Sequence, residues 1–164
     1  MKDLLSKLSS YNLFNYLLPG IIFVVLASEI THYYLIQSDI ILGAFLYYFI
    51  GLVISRFGSL VIEPILKHFS IIQFADYKDF IAASKKDEKI ELLSEVNNTY
   101  RTLSALFILL LLLKVYEKIE CELPCLKEWS VIVLIILMLV TFLFAYRKQT
   151  SYITKRINAK QGNE

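Results

Sequence analysis

Apolar positions along the chain gather into four stretches, separated by polar segments of unequal charge. The cleanest, Val131 to Tyr146, reads VIVLIILMLVTFLFAY without a charge and stops at Arg147 and Lys148. Trp129 and Tyr146 mark its ends, where amphipathic rings settle at membrane–water interfaces. A helix from Trp129 to Tyr146 rises roughly 27 Å at about 1.5 Å per residue, close to the ~30 Å of a hydrocarbon core. The first stretch covers 13–30 and contains Asn15, Pro19 and Gly20; the second covers 40–58 and is apolar from Ile40 to Ile54 before Arg56. The third, 102–119, has a shorter uncharged run from Thr102 to Leu113. Lys114 follows, and a lysine near a helix end carries its ammonium to the interface along an aliphatic stem. The pattern predicts an all-α protein: a four-transmembrane-helix bundle with spans at 13–30, 40–58, 102–119 and 129–146. A cytosolic helical hairpin, 64–101, is expected between helices 2 and 3.

Composition supports a lipid solvent. The chain is 57% hydrophobic over 164 residues with a mean hydropathy of +0.57. A water-soluble domain is about 45–50% apolar, and one this small has only a modest interior. A cleaved signal peptide is the rival reading for the first stretch, with Lys2 and Lys7 as its basic region and Val25-Leu26-Ala27 as a cleavage site. Asn15 and Pro19 inside the apolar run argue for a retained span.

Charge placement predicts orientation. Lys2 and Lys7 precede the first span, and the 31–39 loop has no Lys or Arg. The middle segment carries Arg56, Lys67, Lys78, Lys85, Lys86, Lys89 and Arg101; the tail carries Arg147, Lys148, Lys155, Arg156 and Lys160. Fourteen of the seventeen basic residues thus lie on the side shared by both termini. The positive-inside bias then predicts a multi-pass inner-membrane protein with both termini cytosolic. Cys121 and Cys125 fall in the opposite, outer loop, where a disulfide is possible beside free thiols as the alternative.

Between Pro64 and Arg101 the composition becomes charged. Asp76 with Asp79 resembles a helix start, and Ser84 with Asp87 resembles a capping box ahead of Ile90. Ile90, Leu93, Val96 and Tyr100 recur at three- and four-residue steps, a greasy stripe for self-packing or for a cytosolic protein partner. No Gly or Pro interrupts Lys85 to Leu123, so the third span is expected to be the outer part of one long helix. Seven basic and seven acidic residues from Arg56 to Arg101 make no nucleic-acid patch.

Polar residues in spans are costly in hydrocarbon, which makes Asn15, Glu29, His32, Arg56, Glu63 and Lys114 the candidates for function. Each has a plainer role. Arg56 and Lys114 read as snorkelling anchors, Glu63 as a partner for Arg56 or for a neighbouring helix, and Glu29 with His32 as interfacial caps or a proton relay. Asn15, Pro19 and Gly20 predict a kink. Gly43, Gly51, Ser55 and Ser59 share a face of the second helix, a small-residue interface for packing within the chain or for a homo-oligomer.

Short catalytic motifs are missing. His32 and His68 are the only histidines and are far apart, which leaves no His-Glu-x-x-His zinc site. There is no Gly-x-Ser-x-Gly elbow or phosphate loop. No cofactor, metal or enzymatic activity is expected, and membrane lipids are the expected partners. The segments Tyr11-Asn12-Leu13-Phe14-Asn15-Tyr16-Leu17-Leu18-Pro19-Gly20 and Ala83-Ser84-Lys85-Lys86-Asp87-Glu88-Lys89-Ile90-Glu91 resemble those of small bacterial four-span inner-membrane proteins. Proteins of that kind resemble membrane components of anti-phage defence systems. The resemblance implies a self-associating protein that senses or perturbs the membrane; a channel or transporter subunit and a membrane scaffold are the alternatives.

Overall fold

A computed structural model describes residues 12–123 and 125–161. Lys2, Lys7 and Pro124 lie outside the described residues. Helices joined by short loops make up the described chain, with no strand among these residues. Five helices follow in order: α1 (Leu13–Ile30), α2 (Ile40–His68), α3 (Tyr77–Ser84), α4 (Lys89–Glu122) and α5 (Cys125–Gln161). Three stretches are long and apolar enough to cross a membrane: Leu13–Ile30, Ile40–His68 and Cys125–Ala159. The predicted third span is not among them. Its residues form the second half of α4, where Lys114, Glu117 and Lys118 dilute the apolar run.

Prolines shape α1 and α2 in the same way. Each helix contains one π-helical turn, Leu13–Leu17 and Gly58–Ile62. The Leu18 amide donates to the Leu13 carbonyl and the Glu63 amide to the Gly58 carbonyl. The very next residue is Pro19 in one case and Pro64 in the other. A proline has no amide proton, and its ring collides with the carbonyl four residues back. Widening the preceding turn relieves that collision, so the kink expected at Asn15 and Pro19 takes the form of a π turn inside a continuous helix.

Helix ends follow local chemistry. The Asp39 carboxylate accepts from the Ile41 and Leu42 amides at 2.8 and 2.9 Å and starts α2. Ser70, at φ 56°, closes it: the Ile71 amide reaches back to the Leu66 carbonyl in a Schellman turn. The Ser84–Asp87 capping box does not form. Ser84 ends α3, its hydroxyl donating to the Ile81 carbonyl at 3.2 Å, and Asp87 alone accepts from the Lys89 amide at 2.9 Å.

The core lies where α1, α2 and α4 meet, and contains Ala27, Ile54, Ile62, Ala105, Leu106 and Leu110. Backbones of α1 and α2 touch. A Cβ added to Gly20 would lie 1.8 Å from the Tyr47 carbonyl oxygen, and one added to Gly51 would lie 1.7 Å from that of Tyr16. Only residues without a side chain allow that approach. On α4, Thr102, Leu106, Leu110, Glu117 and Glu120 share the seam that faces α1 and α2. Helix α5 lies at the periphery. Phe142 stacks on Phe49 at 6.0 Å, whereas Val131 to Leu137 is exposed on every face. Helix α3 packs against α4 and α5, with Tyr77 6.2 Å from Tyr152, and leaves Leu93, Val96 and Tyr100 of the α4 stripe exposed; Ile90 is half-buried.

Candidate functional site

Polar side chains collect at three levels of the bundle. The first level joins α1, α2 and α4. Asn15 sits in the π turn of α1, Ser55 on α2 and Thr102 on α4, with 1%, 3% and 0% of their surface exposed. The Thr102 hydroxyl lies 3.0 Å from Asn15 Oδ1, 3.2 Å from Ser55 Oγ and 2.9 Å from the Asn98 carbonyl. One hydroxyl carries one proton, so Thr102 donates to Asn15 or to Asn98 while accepting from Ser55. Asn15 Nδ2 completes the triangle, donating to Ser55 Oγ at 3.5 Å.

About two turns further along α2, Glu63 gathers three cations. Its carboxylate is 3.0 Å from Lys67 Nζ, 2.9 Å from Arg101 Nη1 and 3.4 Å from Lys148 Nζ. Lys148 also donates to the Ser59 carbonyl at 2.7 Å and to Ser59 Oγ at 2.8 Å. An ammonium has three protons, so Lys148 is saturated. Arg101 Nε is buried with no hydrogen-bond partner. This cluster ties α2, α4 and α5 together, and it is the main polar link to α5.

The opposite end of the bundle holds a third group. His32, just past α1, puts Nδ1 2.9 Å from Glu117 and Nε2 3.6 Å from Glu120. Its backbone amide also donates to Glu117, at 2.7 Å. The Tyr33 hydroxyl donates to Glu120. Burial pushes the Tyr33 pKa up, and the Glu120 carboxylate adds to the rise, which keeps Tyr33 a protonated donor. Lys114 bridges Glu117 and the Ile30 carbonyl. Together these contacts fasten the 31–39 loop to the end of α4.

The candidate residues therefore divide. Asn15, Glu63, Lys114 and His32 all engage partners on other helices or loops. Glu63 does not pair with Arg56, and Glu29 does not pair with His32: Glu29 is exposed, and His32 turns to α4. Gly51, Ser55 and Ser59 face α1, α4 and α5 of the same chain, and Gly43 faces Gln37 and Tyr47. The small-residue face is thus filled within the chain. Cys121 and Cys125 are exposed free thiols, so the disulfide considered for that turn is not formed. Thr102, Arg101, Lys148, Glu117 and Glu120 were not among the sequence candidates, because their partners lie 38 to 89 positions away.

No family model, curated protein or solved structure matches the chain. The described residues include no group of three or more His, Cys, Asp or Glu side chains able to hold a metal.

Three expectations follow directly. Thr102→Val is expected to cost about 0.6–1.7 kcal/mol, the range for interhelical hydrogen bonds in membrane helices. Unfolding in mixed micelles measures it. Replacing Asn15, Ser55 and Thr102 together by apolar residues of similar shape is expected to cost less than the three single changes summed, because no buried group is then left unpaired. At the other end, Glu117→Ala is expected to speed hydrogen exchange of the His32 amide by roughly tenfold or more, the worth of a hydrogen bond to a charged acceptor.

Proposed function

We propose that this chain is a non-enzymatic, self-associating integral membrane protein that senses or perturbs the bilayer. In this reading four helices cross the inner membrane, at 13–30, 40–58, 102–119 and 129–146, and both termini are cytosolic. Its role is that of a membrane component of an anti-phage defence system. One contrast supports the reading. Buried polar groups are spent on each other as helix-to-helix ties, whereas apolar surface is left uncovered; Val131, Ile135 and Leu139 of α5 are 63%, 60% and 59% exposed. Paired polar groups hold a bundle together, and uncovered apolar helices meet lipid or another copy. Because the Gly51–Ser55–Ser59 face is filled within the chain, we assign self-association to α5.

Purified protein placed in dye-loaded vesicles tests the reading. The expected result is dye release that rises faster than linearly with protein density and disappears when Ile135 and Leu139 are changed to alanine. A monomer at every density, or tight vesicles at every density, contradicts it. A scaffold is the second reading, favoured by the exposure of Leu93, Val96 and Tyr100 on α4. Co-purification of one cytosolic protein, lost on placing charges at Leu93 and Val96, would select it.

A further inference from the structure

Between α2 and α5 lies a shallow cleft with Arg56 and Ser59 on one wall and Ala145, Lys148, Gln149 and Tyr152 on the other. Its free volume is about 20 Å³. That admits one water or one oxygen atom, not a whole solute. The charges around it do not balance: Glu63 already serves Lys67, Arg101 and Lys148. Arg56 is half-buried on an apolar helix and has no hydrogen-bonding or ionic partner among the described residues. A guanidinium offers five N–H donors in a fork that fits phosphate, and leaving it unmatched beside hydrocarbon is costly.

Depth and shape agree on what would match it. The cleft places Arg56 beside Ala145 and Gln149, just where the uncharged run of α5 ends at Arg147. Towards the membrane centre the cleft ends and the α2–α5 seam is apolar: Phe49 stacks on Phe142 at 6.0 Å and keeps part of its ring exposed. The seam between α2 and α5 is therefore cationic at the cleft and greasy beyond it. A free anion needs only the first; a phospholipid uses both. Lys148 has no proton left to donate and supplies charge, whereas Arg56 and the exposed Gln149 amide have donors to spare.

We propose that this cleft is a binding site for the phosphate of an anionic phospholipid, held by Arg56 with Gln149, its acyl chains lying along Phe49 and Phe142. The site rests on α2 and α5 crossing the membrane. It adds a specific ligand that the proposed function does not require.

Native mass spectrometry of protein extracted from phosphatidylcholine vesicles, with and without phosphatidylglycerol, is the test. Wild type is expected to retain phosphatidylglycerol in preference to phosphatidylcholine. Arg56→Gln is expected to reduce retention by roughly tenfold or more, as for loss of a charge-assisted contact. Arg147→Gln, which removes the same charge from an exposed neighbouring position, is expected to leave retention unchanged. Should Arg56→Gln fail to fold, Ala145→Phe keeps the arginine and fills the cleft, and is expected to have the same effect. Equal losses in the Arg147 variant, or no loss in either cleft variant, would overturn the site in favour of diffuse charge attraction. Displacement of the lipid by inorganic phosphate alone would overturn it in favour of a soluble anion. Failure of wild type to enter the vesicle fraction would instead sink the membrane reading itself.

Discussion

Glu63→Ala is expected to lower stability by about 3–5 kcal/mol, the cost of removing one partner from a buried ionic cluster. Glu63 is 5% exposed, and it is the carboxylate that serves Lys67, Arg101 and Lys148. Its partners differ in their escape routes. The Lys67 side chain is 44% exposed and swings to water at little cost, so Lys67→Ala is expected to cost no more than about 1 kcal/mol. Side chains of Arg101 and Lys148 are only 21% and 26% exposed and cannot both leave. Their repulsion then falls on the contact between α4 and α5, and α5 has few other polar ties to the bundle. Thermal unfolding in detergent measures the loss, and limited proteolysis locates it. Release of α5 with α1, α2 and α4 still packed is the expected pattern. A Glu63→Ala protein as stable as wild type would mean that the three cations are well solvated without their carboxylate.

The second large effect concerns the glycines. Gly20→Ala and Gly51→Ala are each expected to cost about 1–3 kcal/mol, as overpacking of a tight contact does. Gly51→Ile is expected to cost more. The obstacle at both positions is a backbone carbonyl oxygen, of Tyr47 and Tyr16, rather than the end of a flexible side chain. Relief requires α1 and α2 to separate, which also stretches the bonds from Asn15 to Ser55 and Thr102. Both substitutions push apart the same helix pair, so the double variant is expected to cost less than the sum of the singles. Unfolding midpoints of the two singles and the double in one detergent decide this. Full additivity would indicate that the two contacts yield independently.

Gly43→Ala behaves differently in this account. Its added Cβ would meet the Tyr47 ring at 3.3 Å, a side chain able to shift, so it is expected to be nearly neutral. The three glycines are alike in sequence and are distinguished by what lies opposite.

That difference also shows how far the sequence was legible. Periodicity and charge placed α1, α2 and α5, because an apolar run with polar ends is a local property. The absence of Gly and Pro from Lys85 to Leu123 anticipated one long α4, which runs from Lys89 to Glu122. The π turns were only half visible: Pro19 announces a disturbed helix, but whether it kinks or widens depends on what packs beside it, and Pro64 read only as the start of the charged segment although α2 runs through it to His68. Ser84 and Asp87 suggested a capping box, yet the turn between α3 and α4 assigns them to different helices. Site residues divided by reach. Asn15 and Glu63 stood out because a lone polar group in an apolar helix is conspicuous. Their partners Thr102, Arg101 and Lys148 sit at the ends of apolar runs, where polar residues are ordinary. Only the folded arrangement shows that they meet.

The most direct test of the central claim uses the two native cysteines. Cys121 and Cys125 flank the turn between α4 and α5 and are exposed, so each is open to a reagent without mutation. After mild reduction, a membrane-impermeant maleimide is applied to intact protoplasts and, separately, to inverted membrane vesicles. Four crossings with both termini inside predict labelling of the protoplasts and protection in the inverted vesicles. Labelling confined to the inverted vesicles, or recovery of the protein in the soluble fraction, would contradict it.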